Sequence, residues 1–260
     1  RYMKQSMACV CIAAAVVLQR VDIYDNLKEV SEVLSGFMKN YEIVAVNDGS
    51  LDNTKLEMLR CKQEDSHIRV VSYKDNRGKG HAIKCGVLKA RGKYIAFLDS
   101  DSDLDLPAEQ IEKYMEPLVS RQADVVIGSK MHKDSQLEYP KIRKIISFGY
   151  YCMLRLLFQL KVKDTQTGLK VFDAEALKSV IRLVKTQGFA YDIEILVALN
   201  SRKYRITEMP VKLIFRRGQG MGRIKIKDIV KVFRDTLAIF YRLHILHYYD
   251  KVEAHPELKE

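Results

Sequence analysis

Three carboxylates stand at alternate positions in Asp99-Ser100-Asp101-Ser102-Asp103, directly after the apolar run Tyr94-Ile-Ala-Phe-Leu98. Carboxylates this close repel one another unless a cation lies among them. Mg2+ and Mn2+ suit such a set, being hard cations held by one or two carboxylates plus substrate phosphates. An acidic turn can also simply cap a helix, and Asp105-Leu106-Pro107 reads as a helix start. The place of the cluster at the end of an apolar run favours the metal. Two rival patterns fail. An EF-hand loop starting at Asp99 needs Gly at its sixth position and Glu at its twelfth, where this chain has Leu104 and Gln110. A P-loop fails at Gly78-Lys79-Gly80, which lacks the leading glycine and the closing hydroxyl.

Two more apolar runs end in polar loops. Glu42-Ile-Val-Ala-Val46 runs into Asn47-Asp48-Gly49-Ser50, and Ile68-Arg-Val-Val-Ser-Tyr73 runs into Asn76-Arg77-Gly78-Lys79-Gly80. Together the loops would form a crevice with an acidic and a basic wall. The elements that must position them alternate in type. Short apolar runs at 8–18, 41–46, 68–73, 94–98, 124–127 and 211–215 predict strands, and 25–38, 52–64, 80–90 and 108–120 predict helices between them. This order predicts an α/β fold, a mostly parallel Rossmann-like sheet with helices on both faces. Ligands of such sheets sit beyond the carboxyl ends of the strands, where all three loops fall.

The chain has 260 residues, 44 basic and 33 acidic, for a net charge of +11. That balance suits a polyanionic partner: nucleic acid, an anionic bilayer or a phosphorylated substrate. A nucleic-acid-binding protein is disfavoured, because no binding module is recognisable and the clustered carboxylates oppose one. The five cysteines form no Cys-x-x-Cys pair and read as reduced thiols without structural zinc. The longest apolar run, 8–18, has 11 residues, against about 20 for a spanning helix. The expectation is a chain that does not cross a membrane. Basic amphipathic stretches at 141–158 and 224–249 could lie on one.

Five segments in order, Val46–Thr54, Asn76–Gly80, Phe97–Asp101, Asp164-Thr-Gln-Thr-Gly-Leu-Lys-Val-Phe172 and Gly188-Phe-Ala-Tyr-Asp-Ile-Glu194, resemble the inverting family-2 glycosyltransferases with the GT-A fold. Within these, the chain is most similar to the polyprenyl-phosphate group, the dolichyl-phosphate mannose and glucose synthases. The resemblance implies a catalytic domain over 1–223 and a C-terminal amphipathic helix and tail over 224–260. It also implies roles. Asp48 would meet the nucleobase; Lys79, Asp99, Ser100 and Gln166 would bind the nucleotide-sugar. Asp99, Asp101 and Asp103 would hold Mg2+ or Mn2+. Lys130, Arg143, Ser147, Arg217 and Arg223 would grip the acceptor phosphate, and Asp101, Asp192 and Arg217 would be catalytic. Two differences from the family touch the nucleotide pocket: Ala13–Arg20 lacks the usual Pro-x-Tyr-Asn-Glu run, and Asn47 replaces an aspartate.

A phosphate acceptor carries an ionised oxygen near neutral pH, so catalysis reduces to positioning and to stabilising the departing diphosphate. A hydroxyl acceptor, in a glycan, needs a base, and Asp192 is the candidate. For Asp192 and Glu194 a plain reading is also open, since acidic residues favour a helix start. The implied partners are a nucleotide-sugar donor, a polyprenyl phosphate and the cytoplasmic face of a membrane, met directly as a peripheral protein or through a membrane-anchoring partner protein.

Overall fold

The structure, a computed structural model, describes residues 10–16, 23–98, 104–136, 141–188, 190–215 and 226–251. Seven strands make one sheet: β1 (Val10–Val16), β2 (Tyr41–Asp48), β3 (Ile68–Tyr73), β4 (Tyr94–Phe97), β6 (Val125–Ser129), β7 (Lys170–Asp173) and β8 (Ile206–Pro210), in the order β3-β2-β1-β4-β7-β6-β8. A two-stranded ribbon pairs β5 (Leu104–Asp105) with β9 (Ile214–Phe215). The first four strands of the large sheet are mutually parallel, and β6 is parallel to β8. Only β7, inserted between β4 and β6, runs antiparallel to both neighbours.

Helices α1 (Ile23–Phe37), α2 (Thr54–Glu64) and α4 (Gln110–Val119) cover one face. On the other lie α3 (Lys79–Lys89), α5 (Lys141–Phe158), α6 (Ala174–Ile181) and α7 (Tyr191–Ser201). Alternation along β2 explains the division. Ile43 and Ala45 join the first core, Val44 and Val46 the second, because successive side chains leave a strand on opposite faces. All eight residues of β2 are buried, as expected of a strand covered on both sides. Each large aliphatic buried there stabilises the fold by about 1.5–3 kcal/mol.

The chain closes with α8 (Ile226–Phe240), a π-helix over Tyr241–Ile245 and α9 (Tyr248–Lys251). In the π-helix Leu246 donates its amide to the Tyr241 carbonyl at 3.0 Å. Ile239 and Tyr249 are buried in the same core as α7. No helix among the described residues is long and apolar enough to cross a membrane.

Two expectations change. Residues 211–215 are not one strand: Lys212 forms an isolated bridge with Gln136, and Ile214–Phe215 joins the ribbon. The strand that pairs with β6 is Ile206–Pro210, whose mixed Thr-Glu-Met-Pro sequence lacks a strand pattern. Its proline is tolerated because β8 is an edge strand. Strand β7 holds Lys170 in an otherwise apolar run, which hid it.

Candidate active site

The carboxyl ends of β2 and β3 and the start of α3 are locked together by one carboxylate. Asp48 is buried. Its Oδ1 accepts the Arg77 amide at 2.7 Å, its Oδ2 accepts the Gly78 amide at 2.9 Å, and its carbonyl accepts the Asn76 side chain at 3.0 Å. The glycines make this closeness possible. Gly49 has φ 67°, and a Cβ there would fall 2.5 Å from the Asn76 nitrogen. Gly78 has φ 92°, and its Cβ would meet the Gln187 carbonyl at 2.7 Å. Gly80 then donates its amide to that carbonyl at 2.8 Å, so the glycine loop lies against residues 186–187 just before α7. Asn47 takes up local contacts instead of a charge: its Oδ1 accepts the Ser50 amide and its Nδ2 donates to Ser72 Oγ, both at 3.1 Å. Lys79 is half-buried at the first position of α3.

A second cluster gathers where β6 ends. Lys130 Nζ lies 3.1 Å from Asp164 Oδ2 and donates to Thr167 Oγ1 at 2.9 Å. Asp164 also accepts the Lys130 amide at 2.9 Å, the Gln166 amide at 3.0 Å and the Thr167 hydroxyl at 2.6 Å. Burial alone would push the Asp164 carboxyl up; the Lys130 charge, the Thr167 hydroxyl and the two backbone amides outweigh it and hold the group below its ordinary value. Lys130, expected at the acceptor phosphate, is thus already matched to an internal carboxylate. The Gln166 side chain is exposed.

A third cluster joins β7 to α7. Lys170 Nζ lies 3.0 Å from Asp192 Oδ1 and donates to the Thr167 carbonyl at 2.5 Å, with both charged side chains buried. Lys170 is in register with Phe97 of β4, two positions before Asp99. Asp192 follows Tyr191, whose Cβ would lie 2.8 Å from a Cβ on Gly80. Helix α7 thus starts against the glycine loop, and Lys170 stands on the strand beside the one that leads into the acidic cluster. Glu194, two residues on, is structural. Its Oε2 accepts the amides of Lys185 and Thr186 at 3.0 and 2.7 Å; its Oε1 accepts Arg242 Nε at 3.0 Å and the Tyr249 hydroxyl at 2.7 Å.

Asp99, Ser100, Asp101, Asp103, Arg217 and Arg223 lie outside the described residues. Arg143 and Ser147 fall on α5, one turn apart. Among the described residues no group of His, Cys, Asp or Glu side chains could hold a metal. The carboxylates expected to hold a metal, Asp99, Asp101 and Asp103, lie outside those residues; their all-oxygen donor set fits Mg2+ or Mn2+. Sequence reasoning missed Lys170, Asp164 and Arg242. For Lys170 a signal existed: a lone lysine inside Leu-Lys-Val-Phe marks a buried charge that must be paired.

Residues 22–181 match the family model described as glycosyl transferase family 2. The chain belongs to glycosyl transferase family 2. Its relatives include a dolichyl-phosphate beta-glucosyltransferase of Trichomonas vaginalis, 34% identical over 79% of this chain and 64% of the relative. Proteins of the same name match from Saccharomyces cerevisiae, 29% identical over 86% of this chain and 70% of theirs, and from Dictyostelium discoideum, 31% identical over 83% and 70%. The chain thus spans 64–70% of the length of these relatives. Among solved structures, glucosyl-3-phosphoglycerate synthase from Mycobacterium tuberculosis, in complex with Mn2+, UDP and phosphoglyceric acid, covers 90% of this chain and is itself covered over 78%. It aligns with a TM-score of 0.66 at 17% identity. The fold of this family-2 chain is that GT-A fold: a mostly parallel sheet, helices on both faces, and loops gathered at its carboxyl edge.

Proposed function

We propose that this family-2 chain transfers a hexose, with inversion, from a nucleotide-sugar to a polyprenyl phosphate at the cytoplasmic face of a membrane. The observation that carries the reading is its similarity, over most of its length, to relatives named dolichyl-phosphate beta-glucosyltransferases. Their name points to glucose as the hexose and dolichyl phosphate as the acceptor. The solved neighbours bound to UDP support a uridine nucleotide and a divalent metal.

The glycine loop, held by Asp48, forms the donor wall; Lys79, Ser100 and Gln166 complete the nucleotide-sugar contacts. Asp99, Asp101 and Asp103 hold the divalent ion, which when bound neutralises the diphosphate leaving group. Arg217 and Arg223 neutralise the remaining phosphate charge, a task that suits the bidentate guanidinium. Arg143 and Ser147 bind the acceptor phosphate, and Lys130 backs that site through its Asp164 pair. The exposed Phe148 and Leu156 of α5, with Val230, Phe233 and Leu237 of α8, rest in the bilayer interface beside basic residues such as Arg155, Lys231 and Arg234.

The test is a donor and acceptor panel: UDP- and GDP-sugars with Mg2+ or Mn2+, offered polyprenyl phosphate or soluble glycans. Lipid-linked hexose is the expected product, and Asp101→Ala is expected to abolish it. Transfer to glycans alone, or full activity of Asp101→Ala, would sink the reading.

A further inference from the structure

The buried Lys170–Asp192 pair bears on which acceptors can react. Glycosyl transfer to a phosphate needs no proton movement. The ionised acceptor oxygen bonds to the sugar C1 as the bond from C1 to the donor diphosphate breaks, and the diphosphate leaves with the electron pair. Transfer to water or an alcohol makes and breaks the same bonds, but the attacking oxygen must also lose its proton to a base. Asp192 is the carboxylate to ask about: it stands on the first turn of α7, next to Tyr191, which packs on Gly80, and its partner Lys170 is in register with Phe97, two positions before Asp99.

Its surroundings oppose that task. Lys170 Nζ stands 3.0 Å from Asp192 Oδ1, and the two side chains are 2% and 8% exposed. The other Lys170 contact, the Thr167 carbonyl, is neutral. A proton placed on Asp192 would leave the Lys170 ammonium buried with no counter-charge there, which a low-dielectric site resists strongly. Lys170 is held out of water, its side chain 2% exposed.

We infer that Lys170 is a specificity-determining positioning residue: paired with Asp192, it withholds that carboxylate from proton abstraction and confines transfer to acceptors whose attacking oxygen is already ionised, the phosphate monoesters. The inference rests on the lipid-phosphate reading above and supplies the device that excludes hydroxyl acceptors and water.

The experiment reads a ratio. Full-length protein, Mn2+ and UDP-glucose are incubated with polyprenyl phosphate and a short-chain alcohol together. Donor hydrolysis plus alkyl glucoside is divided by lipid-linked glucose. Wild type is compared with Lys170→Met, Lys170→Gln, Lys170→Arg and the double variant Lys170→Met/Asp192→Asn. Both products come from the same folded molecules, so a smaller folded fraction does not move the ratio; the glutamine variant serves if the methionine variant does not fold. The uncharged variants are expected to raise the ratio about tenfold or more, a modest share of what a general base can contribute. Lys170→Arg is expected to restore the wild-type ratio, and the double variant to lose the gain. An unchanged ratio in the uncharged variants overturns the inference, as does a gain that persists without Asp192. Wild type that glycosylates only the alcohol overturns this inference and the proposed acceptor together, whereas an unchanged ratio with active wild type overturns this inference alone.

Discussion

Both oxygens of Asp48 are occupied by backbone amides of the glycine loop, so its charge and its two-fold acceptor geometry both matter. Asp48→Asn keeps the size but offers one acceptor oxygen, leaving a loop amide unmatched at a cost of about 1–3 kcal/mol. UDP binding in Mn2+, read by calorimetry, is expected to weaken by roughly tenfold; unchanged affinity would show that the loop does not depend on this clamp. Asp164 makes a prediction about pH. Its folded carboxyl titrates below its unfolded value of about 3.9, so between those values the unfolded chain binds the extra proton. The stability it contributes is full above the unfolded value and is lost as pH falls through the folded one. Asp164→Asn, which strands the Lys130 charge, is expected to lower stability by about 3–5 kcal/mol at neutral pH. Its denaturation midpoint should also fall less steeply between pH 5 and pH 2; parallel acid limbs would refute the assignment. Asp48 and Asp192 are legible in the sequence because one sits at a recognisable strand end and the other at a helix start. Asp164 and Lys170 escape such a reading, because their partners Lys130 and Asp192 lie far along the chain, on a turn and on a helix, and no local spacing encodes that.

Helix α8 carries two apolar faces. Thr236 and Ile239 are fully buried, with Val232 and Phe240 packed beside them on the body of the protein. Val230, Phe233, Leu237 and Tyr241, on the opposite side, are 61%, 50%, 45% and 52% exposed. Spacing of three and four residues puts each set on one stripe. The Phe233→Ser/Leu237→Ser variant is expected to lose most co-sedimentation with vesicles rich in anionic phospholipid while its Tm moves little, since these side chains are already in water. Retained sedimentation would remove α8 from the interface. A hydrophobic pattern shows that α8 is amphipathic, but it cannot show that the apolar side is divided between body and solvent. The strands tell the same story. β1 to β4 and α1 to α4 follow a regular alternation and were legible within a few residues. β7 and β8 were hidden, one by Lys170 and the other by a mixed composition ending in Pro210.

At the scale of the whole molecule, a net charge of +11 adds a long-range attraction to anionic surfaces. Vesicle binding is expected to fall as salt rises from 0.05 to about 0.5 M, where screening shortens the reach of each charge to a few ångströms. Salt-independent binding would place the whole effect in the apolar stripe. Glu194 ties this surface to the centre of the fold, because Arg242 and Tyr249 of the C-terminal segment both end on its Oε1.

The π-helix at Tyr241–Ile245 gives that tie an arithmetic. A π-turn holds one residue more than the α-turn it replaces, so it acts as a single-residue insertion that resets the phase of everything after it. Ile239 before the turn and Tyr249 after it are both buried in the core. Removing one residue from 241–245 would let a plain α-helix form, yet it would shift Arg242 and Tyr249 against each other, and both must reach the same Glu194 oxygen. The shorter chain would have the more regular helix and the less stable protein.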